Sequence, residues 1–125
     1  MIDFLRGGEK SKPIVEKAES SGETVAATTV SLFEVMSPIQ HKRLRREERI
    51  VRMFMRHTVL LGLDHAAAEA ASMIMGSLLR LGKPINALDV LICGIAVSNN
   101  AESIITSDKD FDEVRKVADI DILLI

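Results

Sequence analysis

Apolar positions recur along this chain at two spacings, one helical and one typical of short buried strands. Ile2 to Arg6 reads as a helix fragment stopped by Gly7-Gly8. Pro13 suits an early helical position, and Ile14, Val15 and Ala18 predict a short helix to about Ser20, ended by Gly22. Glu23 to Thr28 reads as a strand. A helix is predicted from about Ser31, interrupted near Pro38, and a second from Arg45 to Arg56 with Ile50, Val51 and Phe54 on one face. The β-branched and Leu-rich run Thr58 to Leu63 predicts a strand. Asp64 then caps a long helix ending at Gly82, and Asn86 caps another running to about Ser98. Ser103 to Thr106 reads as a short buried strand, Phe111 to Val117 as a short helix, and Ile120 to Ile125 as a final strand.

Four short apolar strands separated by helices imply an α/β fold, with a parallel sheet covered on both faces. A chain of 125 residues is expected to form one domain, spanning 1–125. Parallel sheets of this kind bind ligands at the carboxyl ends of their strands, so the chemistry is sought there.

Composition narrows the setting. Cys93 is the one cysteine and lies in an apolar run, which excludes a disulfide framework and fits a reducing compartment. MIDFLRGGEK has no apolar core of a secretory signal, and no stretch approaches the roughly 20 apolar residues needed to cross a bilayer. The expected location is the cytoplasm, with no membrane partner. The absence of Trp and Tyr argues against single-strand binding on stacking platforms. The net charge of −2 decides little, because a local basic patch can sit beside an acidic site.

Three acids are expected at one sheet edge. Glu34 lies in TTVSLFEV after the strand ending near Thr28, Asp89 lies in the first turn of the helix in PINALDVLICGIAV, and Asp108 lies in IITSDKDF after the strand ending at Thr106. Helix N-termini and strand C-termini share one edge of a parallel sheet, and Asp110 is close enough to be a fourth member or a support. Each acid also has a purely structural use. Ser31 and Glu34 have the spacing of a capping box, as do Asn86 and Asp89, and Asp108 and Asp110 could serve a turn and a helix cap. Gathered together, carboxylates repel and raise one another's pKa unless a cation binds them. All-oxygen ligands suit Mg²⁺ or Mn²⁺, which can generate hydroxide and support phosphoryl displacement. His41, His57 and His65 show no ligand spacing and are read as surface or locally bonded residues, and Gly7-Gly8 is not a phosphate loop.

MIDFLRGG, TTVSLFEV, INALDVLICGIAV and TSDKDF, in this order and spacing over nearly the whole chain, resemble the PIN-domain ribonuclease family, and particularly VapC-like toxins of toxin–antitoxin pairs. The resemblance implies a three-layer α/β/α fold and metal-dependent RNA cleavage with Mg²⁺ or Mn²⁺. Glu34, Asp89 and Asp108 match the family's second, third and fourth acidic positions, and Thr106 matches the Thr that helps order the site. By this analogy Asp89 and Asp108 are metal ligands, and Glu34 is a ligand or orients water. The family's first acid lies on a first strand that precedes IDFLRG. Both that strand and its acid are expected to be missing here, leaving the domain N-terminally incomplete, and Asp3 matches a position that is not normally a ligand. The strand is central in the family, so its loss should leave two neighbours facing each other across a gap.

Between His41 and Arg56 stand Lys42, Arg43, Arg45, Arg46, Arg49, Arg52 and Arg56, opposed by Glu47 and Glu48. This run is either an RNA-backbone contact, with Lys42, Arg43, Arg45, Arg46 and Arg49 as candidates, or a solvated helix face. Met53, Met55, Met73 and Met75 are expected in core packing or in a dimer interface. The resemblance further implies an RNA substrate, a cognate antitoxin and a homodimer. The leading expectation is the toxin endoribonuclease of a VapBC-like system. The alternatives are a housekeeping RNA-processing nuclease and a non-catalytic PIN-like binding or regulatory module.

Overall fold

The computed structural model of the chain describes residue 16 and residues 20–125. The readings at Ile2 to Arg6, Gly7-Gly8, Asp3 and Pro13 to Ala18 lie outside the described residues. From Gly22, whose positive φ of 81° ends the preceding turn, the order is β1 (Ala26–Thr28), α1 (Thr29–Lys42), α2 (Arg45–Arg56), β2 (Val59–Leu61), α3 (His65–Arg80), α4 (Ala87–Ser98), β3 (Ser103–Thr106), a 3₁₀ helix (Lys109–Lys116) and β4 (Asp121–Leu124).

Most boundaries follow local signals. The Asp64 carboxylate accepts the Ala67 N–H at 2.9 Å and starts α3, and Gly82, at φ 70°, closes its C-terminal turn. Asn86 starts α4 by accepting the Leu88 N–H at 2.9 Å. Two boundaries differ from expectation. Helix α1 begins at Thr29 because Thr28, not Ser31, is its cap, with its hydroxyl accepting the Ser31 N–H at 2.9 Å. It also runs through Pro38, which lies on the exposed side; a proline removes one helical hydrogen bond without ending a helix whose other bonds persist. The end comes instead at Arg43, which adopts the left-handed conformation (φ 54°) while the Leu44 N–H bonds back to the Ile39 carbonyl at 3.0 Å. The predicted helix at Phe111 to Val117 is a 3₁₀ helix displaced two residues toward the N-terminus, because Asp108 caps it.

The strands do not form one continuous sheet among the described residues. β1 pairs in parallel with β2 (Ala26 opposite Val59), and β3 pairs in parallel with β4 (Ser103 opposite Asp121). Between the two pairs lies a cavity of about 410 Å³, lined by Glu23 to Ala26, Val59, Leu61, Asn99 to Ser103 and Ile105. The approaches to β1 and β3 both line it, together with Leu61 of β2 and Ile105 of β3.

The core is built around α4. Val90, Ile92, Cys93, Ile95 and Ala96 are buried there against Ala67, Ala71, Ile74 and Leu78 of α3, Ile104 of β3, Phe111 and Val114 of the 3₁₀ helix, and Ile122 of β4. Each large side chain in this cluster contributes roughly 1.5–3 kcal/mol by leaving water. A helix apolar around most of its circumference has to be covered on every side, and α4 is. Met53 and Met73 are exposed (60% and 73%), so they do not pack in the core as expected, whereas Met75 packs at the core's margin.

The α3–α4 contact depends on Gly94. A methyl group there would stand 2.5 Å from the Ala67 carbonyl oxygen and 2.6 Å from the Ala71 Cβ. Gly94→Ala should therefore lower stability by about 2 kcal/mol, the scale of core overpacking, seen as a lower urea midpoint. Gly62, whose added methyl would meet nothing within 4 Å, should tolerate Ala with a change under about 0.5 kcal/mol.

Candidate active site

Only four polar or charged side chains are buried among the described residues: Thr28, Ser31, Asp89 and Thr106. All four stand where a strand ends or a helix begins. Thr28 and Thr106 end β1 and β3, and Ser31 and Asp89 lie in the first turns of α1 and α4. Burying a polar group costs free energy unless its bonds are met, so such groups are rare in cores and informative where they collect.

The hydroxyls order the backbone. The Thr28 hydroxyl donates to the Ser31 Oγ at 2.9 Å while accepting the Ser31 N–H, which fixes the exit from β1 into α1. The Thr106 hydroxyl accepts the Asp108 N–H at 3.1 Å, which sets the turn after β3. Asp108 Oδ1 then accepts the Asp110 N–H at 2.9 Å and caps the 3₁₀ helix, so its structural use is real. Asp110 is exposed in the first turn of that helix.

The caps differ from those foreseen beside the other two acids. Thr28, with Ser31 three residues on, occupies the position foreseen for a Ser31–Glu34 box, so Glu34 falls in the second turn of α1, half-buried. The Asn86 cap bonds to Leu88, not Asp89. Asp89 is nonetheless 3% exposed at the start of α4, where the helix dipole favours a negative charge. Thr28 and Ser31 were not singled out from sequence as site residues; the clue was the TTVS run, in which a strand end and a helix start overlap. Lys42, Arg43, Arg45, Arg46 and Arg49 are exposed, on α2 and the turn before it. His41 and His57 are exposed, and His65 meets Glu69 at 2.9 Å.

The donor set at this edge, carboxylates with hydroxyls, is chemically suited to a hard divalent cation. Among the described residues, no three His, Cys, Asp or Glu side chains are grouped closely enough to hold one. Also among the described residues, no helix is long and apolar enough to cross a membrane.

The PIN domain family model matches residues 1–117. The chain belongs to the PIN domain family. PIN domains are generally nucleases and generally use divalent metal ions. Solved structures carry the same fold. The chain is similar to VapBC2 from Rickettsia felis bound to a DNA fragment from their promoter, at 15% identity over 100% of this chain and 99% of that one, with a TM-score of 0.82. It is similar to DNA-bound VapBC from Salmonella typhimurium, at 22% identity over 95% and 87%, TM-score 0.76. It is also similar to VapBC-5 from Mycobacterium tuberculosis, of the VapBC family of toxin-antitoxin systems, at 25% identity over 81% and 82%, TM-score 0.64. No curated protein matches the chain. In this PIN domain Glu34 and Asp108 follow the C-terminal ends of β1 and β3, and Asp89 lies in the first turn of α4.

Burial, and secondarily the Asp89 carboxylate, push the Cys93 thiol up to about 12. A thiol held protonated and out of water is inert. Cys93 should not react with a water-soluble disulfide reagent at pH 8 in the native protein, and should react fully in denaturant. Thr106→Val, which removes the acceptor for the Asp108 N–H, should cost about 1–3 kcal/mol of stability, measured by urea unfolding.

Proposed function

We propose that this PIN domain is a VapC-like toxin, an endoribonuclease that cleaves single-stranded RNA with Mg²⁺ or Mn²⁺ and is held in check by a cognate antitoxin. The observation that carries the reading is the burial of Asp89, the one buried carboxylate among the described residues, in the first turn of α4 of a PIN domain. Asp89, Asp108 and Glu34 would hold the cation. When bound, it would lower the pKa of a water and screen charge developing on phosphate. The chain's own groups do the positioning. Thr106 holds the Asp108 backbone in its turn, Thr28 and Ser31 fix the start of the helix carrying Glu34, and Asp110 supports the Asp108 cap. An antitoxin partner is favoured by the likeness to VapBC complexes, and a homodimer by exposed Phe33, Ile50, Met53 and Met73, apolar side chains that association would cover.

A non-catalytic PIN-like module is the second reading. It is favoured by the absence, among the described residues, of three metal-ligating side chains already grouped. A housekeeping RNA-processing nuclease would use the same site without an antitoxin.

One assay separates catalysis from its absence. The chain and its Asp89→Asn variant are incubated with a broad panel of single-stranded RNAs, with Mn²⁺ or with EDTA. Cleavage with Mn²⁺, abolished by EDTA and reduced more than about 100-fold in the variant, is the expected result, since even groups that only orient metal ligands are worth 10–100-fold. Cleavage that persists in Asp89→Asn would sink the assigned roles. No cleavage of any RNA moves the assignment to the binding module.

A further inference from the structure

Helix α2 carries Arg45, Arg49, Arg52 and Arg56 at intervals of four, three and four residues. At 100° per residue these four lie within one narrow stripe, about 16 Å long at 1.5 Å per residue. All four are exposed, on the side of α2 away from buried Val51, and Arg46 flanks them. Among the described residues, Arg52 alone of the stripe has an ion-pair partner, Glu48 at 3.2 Å. Residues 42–56 hold seven Lys and Arg against two Glu in a chain of net charge −2, so the rest of the protein is strongly acidic. Such segregation is not needed for solubility, which interspersed charges provide.

The stripe runs alongside α1, the helix that carries Glu34. Gln40 near the end of α1 bonds to Glu48 near the start of α2 at 3.0 Å, and the far end of α2 lies beside the first half of α1. There Leu32 and Met36 of α1, with Arg52, Met55 and Arg56 of α2, line an open groove of about 360 Å³. Leu32 and Met36 share one face of α1 and Glu34 stands on the opposite face, so the groove borders the helix that carries that acid.

We infer that the arginine stripe and this groove form a track that holds single-stranded RNA on the α1–α2 hairpin, the phosphates lying on Arg45, Arg49, Arg52 and Arg56. The inference rests on the nuclease reading and names how that site holds its substrate. Three features favour a phosphate backbone. The cations of α2 are all arginine, whose planar fork matches phosphate oxygens where lysine offers a point charge. The stripe is regular along a line, as a repeating polyanion requires. And an acidic cleft repels its own polyanionic substrate, so a separate cationic surface has to bring the strand in. The groove at its end is walled by Leu and Met, soft enough to take an unstacked base.

The test measures binding without cleavage. A short fluorescently labelled single-stranded RNA is titrated with the Asp89→Asn chain in EDTA at several salt concentrations. The same chain is then tested with Arg45, Arg49, Arg52 and Arg56 all changed to Gln, and with all four changed to Lys, with circular dichroism confirming that each variant folds. Four phosphate contacts on a single strand contribute a slope of about −2.8 in log affinity against log salt, so the Gln variant should lose about three units of slope and at least tenfold in affinity at low salt. The Lys variant should keep most of the slope. A Gln variant with the parent's slope, or a parent that binds no RNA, overturns the track. So does a stripe that binds a polyglutamate peptide and not RNA, which assigns it to an acidic protein partner. RNA binding that depends on the stripe, in a parent chain that cleaves nothing, upholds the track and rejects the nuclease reading. Cleavage that depends on Asp89 with an unchanged salt slope in the Gln variant does the reverse.

Discussion

Helices α3 and α4 meet at a point where there is no room for a methyl group, because the Ala67 carbonyl and Ala71 side chain fill the space in front of Gly94. Much else depends on that contact. It brings α4 into the centre of the core, where its apolar surface is covered by α3, β3, β4 and the 3₁₀ helix together. A helix held so tightly along its middle has no freedom at its first turn, and that turn carries Asp89. The protein can therefore bury a carboxylate at a chosen place. The stability that offsets this cost comes from the side chains behind it, of which Phe111, Leu78, Ile92 and Ile95 are all fully buried.

The same logic orders the rest of the edge. Thr28 and Thr106 stand at equivalent places, each the last residue of a strand and each with its hydroxyl accepting a backbone N–H just beyond it. These hydroxyls convert a strand end into a defined turn, and so fix the backbone that leads to Glu34 and Asp108. Elsewhere the described core is apolar. Polar burial at one edge and apolar burial everywhere else is the division expected of a scaffold that pays for a site with a well-packed interior.

The electrostatic layout is polarised too. Arginines collect on α2, while Glu34 and Asp108 follow strand ends, in a chain with little net charge. The α1–α2 hairpin connects them, because the helix that carries Glu34 also packs against the helix that carries the arginines. Exposed Phe33, Ile50 and Met53 on this hairpin give it an apolar surface beside the basic one.

Local chemistry made much of this legible without coordinates. Asp64, Asn86 and the positive-φ Gly82 mark helix limits by bonds spanning a few residues, and Ser103 to Thr106 is a strand because its apolar run admits little else. The three acids were legible as candidates because a parallel α/β order places strand ends and helix starts on one edge. What sequence could not settle were choices between near-equivalent local options and contacts distant along the chain. Thr28, Thr29 and Ser31 are all competent caps, and only the exit direction of β1 selected Thr28, freeing Glu34. Pro38 is a helix breaker by local rule, but tertiary packing and the turn at Arg43 kept α1 intact past it. Periodicity located the four strands of the described residues but could not show their division there into two pairs, because strand pairing joins residues far apart in sequence. Nor could it show that Met53 and Met73 face outward, since an apolar residue's spacing says which face it shares and not what covers that face.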